Sequence, residues 1–594
     1  MSSHENAFNY RLSLLEGVSY IHSQRHIQRH IPGYVPGHVM STNNEQTTGE
    51  SARLSGPETP LPAALSSSQG KSFSPSPGNQ PPQAPRGNSH RVEKQRYLLP
   101  LFLLVVLILG LIQVASAITR ANMHLLVRIG DVQESDLDLN QSLPISPYLL
   151  GSNVFPKAGS DSQDQQGSGF MRYDAGLVAG LRSARIRLLR FPGGEWGEEH
   201  TLSSSQLDDF SHLLQVTGAD GLMQTQLSNP SQQDTLATRA SRAGLLVDYM
   251  NNRKSIQRAS AATPYHPVKY WAVGNEPDLL KNPDTGTTFT ATEYAEAFIQ
   301  YSIAMHQNDP TIKVFGPEIS QFYGAGQGPY DSAHNLWMET FLQIVSRYEQ
   351  SHPNAKFHLL DGVSFHRYPL DNASQATNLL LNSTGEWNDL ISSLRQNIRQ
   401  DFGHDLPVAV TEVNTNPKGD VPPPDYAALW WADTLGKLMN QQVEYTTFFS
   451  TQGVDAPYPL FTARDGRQTV MLRIMQLFAH LQADYIATSS ENDSVSLYAT
   501  QDDAHNTVSM LLINKEMNTE IVHVRPDSGL LPLSAWHAQD VTLKGHSLVL
   551  LTLHRNGTNE AYTFSPAQAT LSDPTPGIRY TICGQQSEAL AITC

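Results

Sequence analysis

Two glutamates stand at the ends of short apolar runs in this sequence. Glu276 follows the run Tyr-Trp-Ala-Val-Gly-Asn (270–275), and Glu412 follows Pro-Val-Ala-Val-Thr (407–411). Short apolar runs that stop at a polar loop are typical of buried parallel strands. In a (β/α)8 barrel, side chains at the carboxyl ends of the strands point into the open mouth. Two carboxylates across such a mouth could cleave a glycosidic bond, one as proton donor and one as nucleophile.

The segments around these glutamates alternate between strand-like and helix-like patterns. Strands are predicted at Ser146–Val154, Ala184–Phe191, Gly221–Leu227, Tyr270–Gly274, Lys313–Gly316, Gly362–His366, Val408–Thr411 and Tyr445–Ser450. Amphipathic stretches lie between them, and Thr290 and Glu293 form a capping box before the helix predicted at Thr292–Asn308. The pattern predicts an α/β fold, a (β/α)8 TIM barrel over residues 145–482, in which the two glutamates end strands four and seven. An open doubly wound sheet is the alternative, but no Gly-rich phosphate fingerprint follows the first strand.

The rest of the exported part is predicted to be an accessory β-sandwich. Helical periodicity ends after residue 482, and strand-like runs bounded by Asp, Asn and Gly turns continue through 483–570. A strand within 122–144 is expected to join this sandwich at its edge. Residues 571–594 form a tail that carries the chain's two cysteines, Cys583 and Cys594, which could pair in an oxidising compartment or remain free.

The N-terminal part has a different composition. Residues 1–96 are rich in Ser, Pro, Gly, Gln and Asn over much of their length, and we expect them to be disordered and cytoplasmic. Residues 97–118 are predicted to form one transmembrane helix, since 98–118 carry no charge and basic residues precede them. The barrel would then face outward from the cell membrane. A secreted form, cleaved near Ala117, is the alternative.

The net charge limits the partners. The whole chain carries −16, and residues 1–96 are slightly basic, so the remainder is strongly acidic. A domain of that charge is not expected to bind nucleic acid by bulk electrostatics. No cofactor or metal is predicted, because acid and nucleophile chemistry at a glycosidic bond requires neither.

Four further polar residues near the strand ends are candidates for substrate binding. Asn275 could hydrogen-bond the sugar hydroxyl beside the reacting carbon. Arg190 could donate to the nucleophile carboxylate and hold it ionised, or form a structural salt bridge in the barrel floor. His366 and Tyr368 end the sixth strand, where they could orient the second glutamate, contact the sugar, or form a buried core pair.

Other candidates lie on the predicted rim loops. Trp196, Tyr323 and Trp387 could stack against sugar rings, whereas Trp271 is expected to face outward into the helix layer. Glu195 is a third candidate rim carboxylate.

The motifs around the two glutamates resemble glycoside hydrolase clan A, whose members are retaining (β/α)8 enzymes. The resemblance lies in Asn-Glu-Pro (275–277) after the fourth strand and in a glutamate that ends the seventh. It implies that Glu276 is the acid/base and Glu412 the nucleophile. Within the clan, Val-Gly-Asn-Glu-Pro-Asp (273–278), Val-Phe-Gly-Pro-Glu (314–318) and Ser-Phe-His-Arg-Tyr-Pro (364–369) are most similar to the heparanase and β-glucuronidase family.

The expected substrate is a β-linked oligosaccharide or polysaccharide, and the identity of the sugar is open. The resemblance favours a uronic acid, for which Lys418, Arg367 and Arg464 are the available rim cations. The run Arg-Phe-Pro-Gly-Gly (190–194) is more similar to arabinofuranosidase and family-44 endoglucanase members of the clan. A non-catalytic carbohydrate-binding protein on the same barrel is a further alternative.

Overall fold

The first elements of the described residues are a long helix and three strands. The computed structural model describes residues 91–594 apart from 131, 160–168, 229–233, 371–376, 418–420, 455–456, 489–493, 528–535, 569–575 and 586–590. Predictions for residues 1–90 therefore lie outside the described residues. Helix α1 (Arg91–Met123) contains the span Leu99–Arg120, whose mean hydropathy of 2.8 and length suit a membrane crossing. Strands β1 (His124–Ile129), β2 (Val132–Asp138) and β3 (Ser142–Pro144) follow.

Eight parallel strands then close into a barrel. They are β4 (Tyr148–Asn153), β5 (Leu188–Phe191), β6 (Asp220–Thr225), β7 (Tyr270–Val273), β8 (Lys313–Ile319), β9 (Gly362–Arg367), β10 (Val408–Val413) and β11 (Tyr445–Phe448). Strand β11 pairs with β10 on one side and β4 on the other, which closes the ring. Each strand coincides with one of the eight predicted strands, so the predicted TIM barrel is confirmed.

Helices surround the barrel between successive strands. They are α2 (Ala175–Ser183), α3 (Trp196–Glu199), α4 (Ser204–Thr217), α5 (Leu236–Asn251), α6 (Ala291–Asn308), α7 (Trp337–Ser351), α8 (Thr377–Asn382), α9 (Glu386–Asn397), α10 (Pro424–Asn440) and α11 (Val470–Phe478). The predicted capping box opens α6: the Glu293 amide donates to the Thr290 hydroxyl, and the Thr290 amide donates to the Glu293 carboxylate. These reciprocal bonds satisfy amides at the start of the helix that have no partner within it.

Two further sheets pack face to face beside the barrel. Their remaining strands are β12 (Asp484–Ile486), β13 (Val495–Gln501), β14 (Thr507–Asn514), β15 (Glu520–Pro526), β16 (Ala538–Leu543), β17 (Ser547–His554), β18 (Glu560–Phe564), β19 (Arg579–Ile582), β20 (Gly584–Gln585) and β21 (Ala591–Thr593). One sheet runs β2-β1-β15-β16-β21-β20 and the other β19-β18-β17-β14-β13-β12-β3. Apolar side chains from both sheets form one buried core between them.

The N-terminal contribution to these sheets is larger than the single edge strand predicted. Strand β1 lies inside its sheet, between β2 and β15, and β3 joins the opposite sheet beside β12. The reason is the alternation of Leu125, Val127 and Ile129, which are almost completely buried in the core between the sheets. The predicted tail also takes part, because β19 and β21 extend the two sheets and Cys583 forms a disulfide with Cys594.

A buried ion pair links the sandwich to the barrel. Asp433 of α10 has no exposed surface and accepts hydrogen bonds from Tyr498 of β13 and Thr384, both at 2.6 Å. The Lys515 ammonium, just after β14, lies 3.3 Å from the same carboxylate. These contacts lie on the outside of the barrel, in the helix layer.

Candidate active site

Polar residues from five barrel strands meet at the carboxyl-end mouth. They are Arg190 in β5, Asn275 and Glu276 just after β7, Glu318 in β8, His366 in β9 and Glu412 in β10. The apolar residues that precede them hold the strands in the barrel, so the polar side chains are held on rigid elements. This is the end of the barrel at which TIM-barrel enzymes place their chemistry.

The two glutamates face each other at short range. A carboxylate oxygen of Glu276 lies within 4.8 Å of one of Glu412. The side chain of Glu276 is 24% exposed and that of Glu412 only 5%. One carboxylate therefore reaches the solvent of the cleft, while the other is sheltered at its base.

Arg190 is the hub of the buried polar network. Its Nη1 donates to Glu412 Oε1 at 2.8 Å and to Asn153 Oδ1 at 2.7 Å. Its Nη2 donates to Asn275 Oδ1 at 2.8 Å and to Glu318 Oε2 at 3.0 Å. The guanidinium is completely buried at the mouth, so the alternative of a salt bridge in the barrel floor is wrong.

His366 lies between the two glutamates. Its Nδ1 is 2.9 Å from Glu276 Oε1 and 3.6 Å from Glu412 Oε2, and its Nε2 is 3.4 Å from Glu318 Oε2. Burial alone would lower the pKa of this imidazole, but the charge of Glu412 and the hydrogen bonds to Glu276 and Glu318 raise it to about 10. His366 is therefore a buried imidazolium that contacts both carboxylates.

Tyr368 completes the surroundings of Glu412. Its hydroxyl donates to Glu412 Oε2 at 2.9 Å, on the oxygen that Arg190 leaves free. Burial raises the pKa of the Glu412 carboxyl, while the charges of His366 and Arg190 and the Tyr368 hydrogen bond oppose that rise. Burial also raises the pKa of Tyr368 well above its usual value, so the phenol stays a donor. His366 and Tyr368 are thus buried, as in the core-pair alternative, and both touch the rim carboxylates.

Glu318 is a third carboxylate of the mouth, which sequence reasoning did not single out. It is completely buried, and although burial raises the pKa of this carboxyl, the charge of Arg190 and the hydrogen bond from His366 bring it below its usual value. Both Glu276 and Glu318 have positive φ angles, 43° and 60°, and the Glu276 amide donates to the Glu318 carbonyl at 2.9 Å. Non-glycine residues in this conformation cluster at functional sites. In the sequence, the signal that could have identified Glu318 is its position at the end of a strand, directly after Gly-Pro.

Residues 209–371 match the family model described as Glycoside hydrolase family 44. The matched span runs from within α4 to just beyond β9 and includes Glu276, Glu318, His366 and Tyr368. The chain is a glycoside hydrolase, and the match supports clan A within that class of enzymes. The motifs at 273–278, 314–318 and 364–369 are most similar to the heparanase and β-glucuronidase family, but the match is to a different family. The run at 190–194, which is similar to family-44 endoglucanases, agrees better with the match.

Several solved structures are similar to this glycoside hydrolase. A family 44 xyloglucanase from Paenibacillus polymyxa is 13% identical, with a TM-score of 0.47 over 70% of this chain and 97% of that one. An α-L-arabinofuranosidase from Thermotoga maritima is 15% identical, with a TM-score of 0.49 over 74% of this chain and 92% of that one. A family 44 endoglucanase from Clostridium acetobutylium ATCC 824 is 12% identical, with a TM-score of 0.48 over 70% and 98%. No curated protein matches the sequence.

The aromatic residues expected near the hydrolase's cleft differ in how far they are exposed. Trp387 is 1% exposed and packs in the core on α9, so the prediction that it stacks on sugar is wrong. It lies on the inward face of a helix rather than on a loop. Tyr323 is 48% exposed, with the Arg367 guanidinium 5.6 Å from its ring centre, and Trp196 is partly buried against His200. Trp271 faces the helix layer as predicted.

The loop after β5 carries a buried carboxylate, but not the one expected. Glu195 is exposed, whereas Glu198 is buried and accepts hydrogen bonds from the amides of Leu227 and Ser228. Burial raises the pKa of Glu198 to about 7, against the lowering effect of these hydrogen bonds. Its role is to hold the segment that follows β6, next to the backbone at Gly274.

The mouth also has the spacing of a metal site. One donor atom from each of Glu276, His366 and Glu412 lies within 4.8 Å of the others. A metal ligand must be a neutral imidazole with a free lone pair. Both ring nitrogens of His366 are instead paired with carboxylate oxygens, Nδ1 with Glu276 and Nε2 with Glu318. This donor set fits a proton network rather than a metal ion.

Proposed function

We propose that the chain is a retaining endo-β-glucanase, acting on β-linked polysaccharides of neutral sugars by double displacement. The observation that carries this proposal is the approach of Glu276 and Glu412 to within 4.8 Å. Carboxyl groups about 5–5.5 Å apart suit retention, whereas inverting enzymes leave about 6.5–9.5 Å for a water molecule. The family 44 match supports the endoglucanase type.

In the first step Glu276 protonates the glycosidic oxygen and Glu412 attacks the anomeric carbon. The bond between that carbon and the leaving oxygen breaks, and an ester to Glu412 forms. The exposure of each residue suits these roles, because the acid must reach an oxygen in the cleft and later a water molecule. Arg190 and Tyr368 each donate to one oxygen of Glu412 and favour its ionised form before attack.

In the second step water attacks the anomeric carbon of the ester. Glu276, now a carboxylate, takes a proton from that water, and Glu412 leaves as the free carboxylate. The His366 imidazolium lies beside both glutamates and stabilises whichever one is charged. Asn275 accepts from Arg190 through Oδ1, which leaves its NH2 group to donate to the sugar hydroxyl next to the reacting carbon.

A neutral sugar is favoured over a uronic acid because two described cations at the mouth, Arg190 and Arg367, already pair with carboxylates. Arg367 donates through Nε and Nη2 to both carboxylate oxygens of Glu386 and through Nη1 to Gln321. Arg464 is an exposed residue, and Lys418 lies outside the described residues. Both terminal nitrogens of Arg190 already donate to four acceptors. The motif at 190–194 keeps an α-L-arabinofuranosidase as the second candidate.

A substrate panel tests this proposal. The full chain, purified in mild detergent, is assayed on soluble β-1,4-glucan and on aryl β-glucoside, β-xyloside, α-arabinofuranoside and β-glucuronide. The expected result is chain cleavage of the glucan that disappears in Glu412→Gln and persists in Glu296→Gln, an exposed control on α6. Release from the glucuronide alone would overturn the choice of a neutral sugar. Binding of glucan without cleavage of any substrate would favour the non-catalytic alternative.

We also propose that α1 anchors the enzyme in a membrane, with the barrel outside the cell. The span Leu99–Arg120 is uncharged up to Arg120, is almost entirely exposed, and is preceded by basic residues. Alkaline carbonate extraction of membranes from expressing cells should leave the full-length chain in the pellet. Full-length or shortened chain in the soluble fraction would contradict the anchor, and a new N-terminus near Ala117 would establish the secreted form.

A further inference from the structure

Glu318 contacts several residues of the proposed catalytic machinery, although it has no part of its own in bond cleavage. Its carboxylate accepts from Arg190 at 3.0 Å and lies 3.4 Å from Nε2 of His366. Its backbone carbonyl accepts from the amide of Glu276 at 2.9 Å. The side chain has no exposed surface, so it does not meet the substrate.

We propose that Glu318 is a positioning residue: its fixed negative charge holds Arg190 and His366 in the orientation and charge state that both rim glutamates use. Its part in the reaction rests on the proposed function. The charge coupling between Glu318 and His366 does not, and it can be measured without a substrate.

The orientation of His366 shows how Glu318 acts. The imidazolium has two N–H groups on opposite sides of the ring, one facing Glu318 and the other facing Glu276 and Glu412. An acceptor behind the ring therefore fixes the N–H that points into the cleft. Arg190 is held in the same way, since Nη2 is bound by Glu318 and Asn275 while Nη1 reaches Glu412.

Charge counting gives the second reason. With Glu276 protonated, the ionised Glu318 and Glu412 balance Arg190 and His366. When the ester forms, Glu412 loses its charge and Glu276 gains one, so the balance is unchanged. Glu318 is the carboxylate that stays charged throughout, which lets His366 keep its proton while the other negative charge moves from one glutamate to the other.

The other titratable groups that face this pair are tyrosines and the residues already described. Tyr294 and Tyr445 lie within electrostatic range of Glu318, and Tyr368 lies beside Glu412. Burial raises the pKa of each of these phenols well above its usual value, so they stay neutral at the pH values used below. The change of charge that Glu318 is expected to influence over the range from pH 6.5 to 9 is therefore that of His366.

Thermal unfolding across pH tests the charge coupling. A folded-state pKa above the unfolded value stabilises the protein at low pH, and that stabilisation is lost as the pH rises towards the folded pKa. In the wild type, with the pKa of His366 at about 10, this loss extends through the range from pH 6.5 to 9. In Glu318→Gln the pKa of His366 falls, so the loss is complete at lower pH. The wild type should therefore have the higher Tm at low pH, and the difference in Tm between the wild type and Glu318→Gln (the gap in Tm) should become smaller as the pH rises.

The control is Asp433→Asn, which removes another completely buried carboxylate that is paired with a cation but lies outside the barrel. Its gap in Tm should stay constant over the same range. A constant gap for Glu318→Gln as well would overturn the proposal, because a merely structural contact shows no such dependence. Should Glu318→Gln not fold, Glu318→Asp keeps the charge on a shorter side chain and should show a dependence of Tm on pH close to that of the wild type; a folded Glu318→Asp in which this dependence is lost would overturn the proposal.

Kinetics on the substrate found by the panel test the positioning role. In Glu318→Gln we expect kcat to fall about 100-fold, as for other misplaced catalytic groups, with KM within about threefold. The alkaline limb of the pH profile should move to lower pH, and Glu318→Asp should restore it in part. Unshifted limbs with kcat near the wild-type value would overturn the positioning role while leaving the proposed function intact. Absence of turnover in the wild type would instead overturn the proposed function, and the Tm gap would still decide the charge coupling.

Discussion

The mouth and the floor of this barrel are built from the same eight strands and differ completely in chemistry. At the floor, Tyr270 packs with its ring centre 5.2 Å from Tyr445 and 5.9 Å from Phe315, among buried Leu and Ala side chains. At the mouth, six residues beyond Tyr270 along the same segment, Glu276 lies in a cluster of carboxylates, an imidazolium and a guanidinium.

Carboxylates occur at both ends, but their partners differ. At the floor, near the solvent, Asp220 accepts from the Tyr148 hydroxyl and lies 3.6 Å from His266 Nε2, and Glu444 accepts from the Tyr270 hydroxyl. At the mouth, the carboxylates of Glu318 and Glu412 are bound by Arg190 and His366 away from solvent. Burying such charges costs free energy, whereas burying aromatic rings gains it. The comparison indicates that packing at the floor stabilises the barrel, whereas the buried charges that the mouth needs for its chemistry lower the stability.

If this contrast is correct, the largest effect on activity comes from the two rim glutamates. Glu276→Gln and Glu412→Gln should each lower kcat/KM by about 10³-fold or more, because each removes a group that takes part in bond cleavage. Both variants should still fold and show a cooperative thermal transition. Full activity of Glu276→Gln on a substrate with a poor leaving group would contradict its role as the acid.

A smaller loss is expected when the hub of the mouth is replaced by a residue of the same charge. Arg190→Lys keeps a cation but cannot reach four acceptors in one plane, so Glu412 should lose its fixed donor. We expect kcat to fall about 10²-fold. The measurement is kcat/KM together with the Tm, and a loss of less than about threefold would show that charge alone suffices.

A still smaller effect is expected at Tyr368, which supplies one of the two fixed donors to Glu412. Tyr368→Phe should lower kcat about 10-fold, the effect of one hydrogen bond to a charged group. That hydrogen bond lowers the pKa of Glu412, so its removal should raise this pKa and move the acid limb of the pH profile to higher pH. An unmoved acid limb would contradict the link between Tyr368 and the ionisation of Glu412.

At the floor the expectation is reversed, with an effect on stability and almost none on activity. Phe315→Leu should lower the free energy of unfolding by about 1 kcal/mol, the usual cost of a conservative change of shape in a packed core. The value of kcat should stay within about twofold. Urea denaturation and steady-state assays provide both numbers, and a large loss of kcat would show that the two ends of the barrel are coupled.

The barrel was predictable from the sequence because each buried strand is a short apolar run that ends in a polar residue. The same rule locates Glu276 and Glu412, since the strand ends of a closed barrel must converge. The rule also places Glu318 at a strand end, but it does not reveal its role, which depends on contacts with Arg190, Glu276 and His366 on other strands. It also misplaces Trp387, since the turns before α9 resemble a loop while the indole packs inward.

The partners of Arg190 and the pairing of β1 were unpredictable for a related reason. The sequence does not show whether the Arg190 side chain points to the mouth or to the floor of the barrel. In the fold it extends to the mouth, where it reaches Asn153, Asn275 and two glutamates. For β1, alternating apolar residues indicate a strand with one buried face but do not distinguish an edge from an interior position.

The most direct test of a nucleophilic Glu412 is to trap its ester. The full chain is incubated with an activated 2-deoxy-2-fluoro-β-cellobioside, which forms the glycosyl-enzyme and slows its hydrolysis, and the digested protein is mapped by mass spectrometry. We expect one added fluorocellobiosyl group, located on Glu412 and absent from Glu412→Gln. A label on a different residue, or no label from a preparation that hydrolyses β-glucan, would contradict the double-displacement mechanism with Glu412 as its nucleophile.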